Sequence, residues 1–347
     1  KIGAVGPVTN SCSYYQAIPT DYTNLNEMFK FAGRFNVSDS TKWEQRIKLV
    51  GYCILIKRSV IEQVGLLDER FTPGNFEDDD YSFRIQEAGY KLILCKDTFI
   101  HHFGSATFSS MKLDYLQLVR ENEQKFKEKW GFNPFYSTFI RNEIIDLLND
   151  DYDKRINVLE VGCACGATLL KIKDLYKNAD LYGIEFEKMS SRIASNFASI
   201  TSEDVEGVEL SYPENFFDYI IFCDVLEHLY NPNAVLKKIR KYLKEDGKIL
   251  ISIPNVNHFS IIKSLLNQRW KYEDKGILDR THVRFFTMED LREMAEKSGY
   301  RISKVRIKEY NEVSPEDELF LKTLCQASKK SIDLSFRAYQ YLLVLEK

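Results

Sequence analysis

The second half of the chain alternates apolar runs with amphipathic stretches. The apolar runs are predicted to be strands, at 157–161, 181–184, 219–222, 248–253 and 339–346. The stretches with helical spacing lie at 169–177, 188–198, 232–243 and 315–330. This alternation predicts right-handed crossovers and a parallel sheet covered on both faces. Ligands of such a sheet bind beyond the carboxyl ends of its strands.

The first half has a different pattern of apolar and polar positions. Short strand-like runs at 2–7, 49–57 and 90–95 are separated by loops rich in glycine, aspartate and aromatic residues. From 111 to 153 the apolar spacing becomes helical, and the segment 130–134 divides it into two helices. We expect this helical part to connect two domains.

Composition limits the classes of partner. The 347 residues carry 48 Lys+Arg against 51 Asp+Glu, so no basic surplus favours nucleic acid as a partner. No apolar run is long enough for a membrane span, although contact with a membrane surface stays open. The seven cysteines form no CxxC pair, which favours reduced thiols and a cytoplasmic protein. The start at Lys1 rather than Met predicts a fragment.

A glycine-containing turn follows the strand 157–161. Gly162 and Gly166 allow a ligand close to the backbone, and the next helix begins directly afterwards. Glu185 follows the next strand, where a carboxylate can accept hydrogen bonds from two ribose hydroxyls. A nicotinamide dinucleotide site would present the same features.

A third motif separates these alternatives. The run DVLEHL at 224–229, together with the turn, closely resembles class I S-adenosylmethionine-dependent methyltransferases. The resemblance covers 136–347 and extends to the segments 247–255 and 279–287. It implies an α/β, Rossmann-like seven-stranded domain that uses S-adenosylmethionine.

The resemblance also implies individual roles. It places Glu160, Gly162 and Gly166 in the turn at the methionine side of the cofactor, Glu185 at the ribose, Asp204 at the adenine amine, and Asp224 among the cofactor-binding residues. One departure is Ala164, where the family has its middle glycine. A single methyl group is expected to fit there and to lower affinity.

His228 is the candidate catalytic base. With an ordinary pKa near ~6.5, it could remove a proton from an oxygen acceptor, or it could be a packed, hydrogen-bonded histidine. Glu227, His258 and His282 are further candidates, and the resemblance places His258 and His282 in the segment that covers the acceptor. The alternative for the whole set is a Rossmann-like domain that binds no cofactor.

An acidic cluster at 77–80 precedes a predicted helix in the first half. Carboxylates in this position can cap the helix, bind a cation or act as a base. The segments 51–58, 64–71, 76–84, 88–95 and 100–108 resemble the acceptor half of inverting, GT-A-type family two glycosyltransferases, over 1–131.

This second resemblance implies Asp78 as the base that deprotonates an acceptor hydroxyl. His102, with His101 as the alternative, would be a ligand of Mg²⁺ or Mn²⁺ on the diphosphate of a nucleotide-sugar donor. The acceptor would be a glycan or a lipid-linked molecule. Because such enzymes begin with a nucleotide-binding half that does not precede Lys1, no glycosyl transfer is expected from this chain alone.

The two resemblances predict a truncated glycosyltransferase domain at 1–113, a helical tail at 114–135 and a methyltransferase at 136–347. The function expected is that of a bifunctional, glycan-modifying enzyme. The alternatives are a small-molecule O-methyltransferase with a non-catalytic N-terminal module, and a sensor that binds S-adenosylmethionine without turnover.

Overall fold

The chain divides into two compact units. The computed structural model describes residues 1–104, 115–309, 313–328 and 333–347. The first unit comprises 1–140, 164–175 and 187–200, and the second comprises 141–163, 176–186 and 201–347. The predicted boundary between 113 and 114 lies outside the described residues, as do 105–108 of the motif 100–108 and the last two positions of the predicted helix 315–330.

The first unit contains a four-stranded mixed sheet in the order β2-β4-β1-β3. Its strands are β1 (Ile2–Val8), β2 (Trp43–Arg46), β3 (Leu55–Ile56) and β4 (Lys91–Phe99). β1 and β4 are parallel, while β2 and β3 are antiparallel to their neighbours. The predicted strand 49–57 shortens to β3 because the amides of Leu49 and Gly51 donate to the side chains of Ser82 and Asp78 instead of to a strand.

Seven helices belong to the described part of the first unit. They are α1 (Leu25–Phe35), α2 (Arg58–Val64), α3 (Glu77–Glu87), α4 (Tyr115–Trp130), α5 (Pro134–Ser137), α7 (Ala167–Leu175) and α8 (Lys188–Ala194). α7 is held against β2 by the ion pair of Lys171 with Glu44, at 3.0 Å. α8 packs against α3, where Arg192 lies 3.2 Å from Glu87. Two helices of the predicted alternation therefore pack on elements of the first unit.

α4 confirms the first of the two helices predicted in the connecting segment. Its buried face carries Leu118, Asn122, Phe126 and Trp130, spaced by four residues as one face of a helix requires. The second predicted helix is wrong, because only single turns form there. The side chain of Asn133 accepts hydrogen bonds from two backbone amides and begins the turn α5.

The second unit confirms the predicted Rossmann-like, seven-stranded sheet. Its order is β10-β11-β9-β8-β5-β6-β7. The strands are β5 (Asn157–Val161), β6 (Asp180–Ile184), β7 (Ser199–Thr201), β8 (Phe217–Cys223), β9 (Leu243–Pro254), β10 (Arg301–Lys308) and β11 (Gln340–Glu346). β9, β8, β5 and β6 are parallel neighbours, and β11 is antiparallel to β9 and β10.

The helices of this unit are α6 (Asn142–Ile145), α9 (Pro232–Ile239), α10 (Phe259–Leu266), α11 (Met288–Lys297), α12 (Pro315–Ala327) and α13 (Asp333–Arg337). α9 begins at Pro232, after the Asn231 side chain that accepts from the amide of Ala234. A capping box between Thr287 and Asp290 begins α11. Among the described helices, none has the length and apolar character that crossing a bilayer needs.

All seven residues of β8 are buried, as expected for a central parallel strand with both faces covered. Because β5, β6, β8 and β9 are parallel, their carboxyl ends lie at one edge of the sheet. Glu185 follows β6 and Asp224 follows β8 at this edge. The sheet therefore brings the predicted cofactor-binding segments together.

Candidate active site

Gly162 begins the turn at the carboxyl end of β5. Its φ of +69° is in the left-handed region that favours glycine, and its amide donates to the carbonyl oxygen of Ile184 at 2.8 Å. A Cβ atom at this position would lie 2.6 Å from Cγ2 of Val225, in the segment after β8. The backbone of the turn thus requires glycine both for its conformation and for the close approach of that segment.

The rest of the turn belongs to the first unit. Ala164 has a φ of +47°, so it occupies the left-handed region with a side chain that strains it. Gly166 has a φ of +76°, and a Cβ there would lie 2.8 Å from Cζ of Phe197. The cost at Ala164 is therefore conformational, an effect that goes beyond the steric fit of one methyl group expected from the sequence.

Glu185 is buried at the carboxyl end of β6, where the sequence places a ribose ligand. Its backbone amide donates to the carbonyl oxygen of Thr201 at 3.0 Å. The next residue, Phe186, exposes most of its aromatic side chain. No sequence motif marked Phe186; its position beside a candidate ribose ligand is the only signal.

Asp204 lies in an exposed turn after β7. Its Oδ1 accepts a hydrogen bond from the amide of Glu206 at 2.9 Å, and its carbonyl oxygen accepts from the amides of Gly207 and Val208. These contacts hold the turn in shape.

Asp224 is surrounded by donors. Its Oδ2 lies 2.7 Å from Nη2 of Arg141, and its Oδ1 accepts from Oγ of Ser252 at 2.9 Å and from the side chain of Gln340. Both carboxylate oxygens are therefore engaged within the protein. Arg141 carries no motif that identifies it from sequence, and only the fold places this cation beside the residue that follows β8.

His228 and His282 lie side by side, with ring centroids 4.8 Å apart. Nδ1 of His228 is 3.1 Å from the carbonyl oxygen of Thr281, and Nδ1 of His282 is 2.9 Å from that of Ile277. Because a carbonyl oxygen only accepts, each Nδ1 carries the hydrogen in these bonds, and each neutral ring keeps a lone pair on Nε2. Burial lowers the pKa of His228, and the neighbouring His282 adds to the effect.

Glu227 is buried behind these rings, with 1% of its surface exposed. Neither of its carboxylate oxygens accepts a hydrogen bond from the residues that the structure describes, and Nε2 of His282 is 4.0 Å away. Burial, followed by the charge of Asp224, raises the pKa of Glu227 well above its ordinary value. One ligand atom from each of Glu227, His228 and His282 lies within 4.8 Å of the others, a set that could hold a metal ion.

His258 makes different contacts from the other candidate histidines. It precedes α10, its Nδ1 lies 2.8 Å from Oγ of Ser260, and its ring packs edge-on against Tyr339. Burial lowers its pKa to about 4. It is thus a buried histidine that stays neutral at physiological pH.

The acidic cluster of the first unit divides into separate contacts. Oδ2 of Asp78 accepts from the amide of Gly51 at 2.6 Å, whereas Asp79 pairs with Lys48 at 2.7 Å and Asp80 pairs with Arg84 at 2.8 Å. Burial, with the charges of Asp79 and Glu77 adding to it, raises the pKa of Asp78 to about 7.

His102 follows β4. Its amide donates to Oδ1 of Asn10 at 2.8 Å, its Nδ1 lies 2.7 Å from the carbonyl oxygen of Ser11, and its ring stacks on Tyr52 at 5.2 Å. The neighbouring His101 has its Nδ1 2.6 Å from the hydroxyl of Tyr22. Each predicted histidine is therefore oriented by one ring nitrogen.

Residues 132–305, half of the chain, match the model of a methyltransferase domain family. The malonyl-[acyl-carrier protein] O-methyltransferase of Geobacter sulfurreducens is 23% identical over 189 residues, 53% of this chain and 70% of the relative. The mitochondrial ubiquinone biosynthesis O-methyltransferase of Dictyostelium discoideum is 24% identical over 235 residues, 60% of this chain and 73% of the relative.

A solved S-adenosylmethionine-dependent methyltransferase from Archaeoglobus fulgidus superposes with a TM-score of 0.44 and 19% identity, over 67% of this chain and all of the other. The family match begins at residue 132, so the comparison leaves most of the first unit outside its range. The chain belongs to the methyltransferase domain family and is a transferase that depends on S-adenosylmethionine.

Proposed function

We propose that this chain transfers a methyl group to an oxygen atom of a small molecule. The observation that carries the proposal is the orientation of His228 after β8, with its Nδ1 hydrogen directed to a backbone carbonyl and a lone pair left on Nε2. The curated relatives named above are O-methyltransferases.

The residues at the edge of the sheet suit the cofactor. Gly162 lets the turn after β5 adopt its left-handed conformation, Glu185 can accept from ribose hydroxyls, and the exposed ring of Phe186 offers a flat surface to adenine. As the resemblance implies, we assign Asp204 to the adenine amine and Gly166 to the glycine-containing turn. S-adenosylmethionine supplies an electrophilic methyl group when it is bound, so the protein contributes mainly by positioning.

Arg141 is proposed to bind the carboxylate of the cofactor. Its guanidinium lies beside Asp224, at 2.7 Å, next to the residues that follow β8, and a guanidinium can bind a carboxylate through two parallel N–H groups. Since both oxygens of Asp224 are held by protein donors, we assign Asp224 the task of orienting Arg141.

The acceptor atom decides whether a base is needed. A hydroxyl must lose its proton as the O–CH₃ bond forms, and Nε2 of His228 can receive it. A carboxylate acceptor is already ionised at neutral pH and needs no base. The dependence on His228 therefore separates a hydroxyl acceptor from a carboxylate.

Titration calorimetry with S-adenosylmethionine tests the cofactor site. Glu185→Ala should weaken binding at least about tenfold, because two charge-assisted hydrogen bonds are lost. Glu209→Ala removes an exposed carboxylate of the same unit and should leave the affinity unchanged. Absence of binding to the wild-type chain would overturn the proposal.

Release of S-adenosylhomocysteine with a panel of acceptors tests the chemistry. A catechol, a malonyl thioester and a lipid-linked oligosaccharide cover the hydroxyl and carboxylate classes. With a hydroxyl acceptor, His228→Ala should lower the rate about a hundredfold and leave cofactor affinity unchanged. Cofactor binding with no turnover on any acceptor would instead favour the sensor function.

Sugar transfer by the first unit is a second candidate activity. One observation favours it: the adjacent residues Gly51 and Tyr52 contact Asp78 and His102, so the predicted base and the predicted cation ligand share one loop. In a bifunctional enzyme the two activities would share a glycan or lipid-linked acceptor, with Mg²⁺ or Mn²⁺ on a nucleotide-sugar donor.

Transfer from a nucleotide sugar with Mn²⁺ tests this activity, in the longest natural polypeptide that carries these residues. The rate should rise with pH through about 7, where Asp78 ionises, and should be lost in Asp78→Asn. Asp21→Asn changes an exposed aspartate of the same unit and serves as the control. Transfer that persists in Asp78→Asn would exclude the base role.

A further inference from the structure

The cluster of Glu227, His228 and His282 has more order than a single base requires. Its three candidate ligand atoms lie within 4.8 Å of one another. Two of the residues, Glu227 and His282, are buried, and they come from segments 55 residues apart in the sequence. The tertiary fold therefore assembles the cluster from residues that are distant in the sequence.

Both imidazoles are oriented as metal-bound histidines are. A histidine that binds a metal through one ring nitrogen usually donates its other N–H to a carbonyl or carboxylate, which fixes the tautomer and raises the basicity of the ligand atom. Here both Nδ1 hydrogens are directed to carbonyl oxygens of a single segment, those of Thr281 and Ile277. The two Nε2 lone pairs are thereby left for a shared ligand.

Glu227 lacks what a buried carboxyl normally needs. No described residue donates a hydrogen bond to either of its oxygens, and the carboxylates of Asp224 and Asp279 are of the same sign. The guanidinium of Arg141, whose charge acts on Glu227, pairs with Asp224 at 2.7 Å. Burial of an unpaired carboxyl is costly, and a bound cation would remove that cost.

We propose that Glu227, His228 and His282 form a binding site for a divalent transition-metal ion. Two imidazoles and one carboxylate favour Zn²⁺, Co²⁺, Mn²⁺ or Fe²⁺ over Mg²⁺ and Ca²⁺, which prefer oxygen ligands alone. Ligand distances of about 2.1 Å require the three atoms to draw together by about 1 Å. Three protein ligands leave coordination positions open for a substrate.

The chemical role of the metal ion rests on the proposed function, because the ion would bind the acceptor of the methyl group. An acceptor hydroxyl bound to the cation has a lower pKa and loses its proton to water before transfer. The O–CH₃ bond then forms as the C–S bond breaks, and the sulfur atom keeps the electron pair. His228 would take part as a ligand, and the free base proposed above would not be needed.

Co²⁺ alone is the probe, because its visible absorption reports nitrogen and oxygen coordination. Protein that has been treated with a chelator should bind one equivalent of Co²⁺ per chain. Glu227→Gln and His282→Gln should each weaken binding at least about tenfold, and Glu227→Asp should retain part of it. His258→Gln changes another buried histidine of the same unit and should leave Co²⁺ binding unchanged.

S-adenosylmethionine affinity, measured on the same samples, separates the two proposals. No Co²⁺ uptake by a wild-type chain that binds the cofactor would overturn the metal site alone. Uptake unchanged in both Glu227→Gln and His282→Gln would overturn it as well. Co²⁺ uptake by a chain that binds no cofactor would overturn the proposed function and leave the metal site standing.

Discussion

The two units bury their carboxylates in different ways. In the first unit, Asp80 is fully buried and contacts Arg84, Lys129 and the indole nitrogen of Trp130. In the second, Glu227 is just as deeply buried, yet no described residue donates to its carboxylate oxygens. Removing one partner of a buried ion pair destabilises the fold, whereas a buried carboxyl without donors retains the capacity to bind a ligand.

The same contrast applies within one run of acids. Asp78, Asp79 and Asp80 are consecutive, but only Asp79 and Asp80 have ion pairs in the described part of the chain. Asp78 accepts hydrogen bonds from two backbone amides instead. The candidate base is therefore the member of the run that has no paired cation, a distinction that depends on tertiary contacts.

The largest effect is expected at Asp80. Asp80→Ala leaves Arg84 and Lys129 without their shared partner, which should lower the free energy of unfolding by about 3–5 kcal/mol. Glu227→Gln loses no ion pair to Lys or Arg and should change it by less than about 1 kcal/mol. Urea denaturation of both variants measures the difference. Equal losses of stability would contradict the distinction between the two buried carboxylates.

In the second unit, stability and cofactor binding should both depend on the absence of a side chain at Gly162. Gly162→Ala forces a side chain into the left-handed region, 2.6 Å from Val225, at an expected cost of about 2 kcal/mol. S-adenosylmethionine binding should be lost with it. Denaturation and calorimetry check both effects; an alanine variant with wild-type stability would show that the turn relaxes.

As the pH falls, the second unit should lose stability at a higher pH than the ion pairs of the first unit do. Burial lowers the folded-state pKa of His258 to about 4, so the unfolded chain binds the extra proton between pH 6.5 and 4. Stability should therefore fall by about 1 kcal/mol from pH 7.5 to 5.5. Urea midpoints at the two pH values measure the fall, and His258→Gln should remove this part of it.

In the first unit, burial opposes ionisation of Asp68, but hydrogen bonds from Lys129 and Arg70 prevail and lower its pKa to about 2. Its contribution is present above pH 4 and is lost only below that value. If the midpoint shift between pH 7.5 and 5.5 were the same in His258→Gln as in the wild type, other groups would have to titrate there.

The smallest effect is expected at Ala164. Ala164→Gly relieves the strain of a φ of +47° but increases the freedom of the unfolded chain. The net gain should be about 0.5 kcal/mol, seen as a small rise in the urea midpoint. A loss of stability would mean that the methyl group makes favourable contacts.

Much of the second unit follows from local pattern. The apolar runs at 157–161 and 219–222 became β5 and β8, because strands buried on both faces need continuous apolar side chains. Parallel strands then bring Gly162, Glu185 and Asp224 to one edge. The fold and the candidate cofactor residues of this edge were therefore predictable.

Exposed and short elements were not predictable in the same way. β10 lies at an edge of the sheet and carries four cationic side chains among mostly exposed positions, so it lacks the apolar run that marks a strand. β2 and the packing of α7 on it depend on Glu44, which is buried with Lys171 against it. Ion pairs between distant segments leave no periodic signal.

The sequence by itself determined the alternation of strands and helices, the glycine turn and the acids at the strand ends, since these depend on neighbouring positions. Only the tertiary structure decided that His282 joins His228, 54 residues earlier, and that Arg141 meets Asp224. Amides of Val283 and Arg284 donate to the carbonyl oxygen of Glu227 and hold that segment in place. Such contacts arise from packing across the sheet edge, which local hydrophobic spacing does not specify.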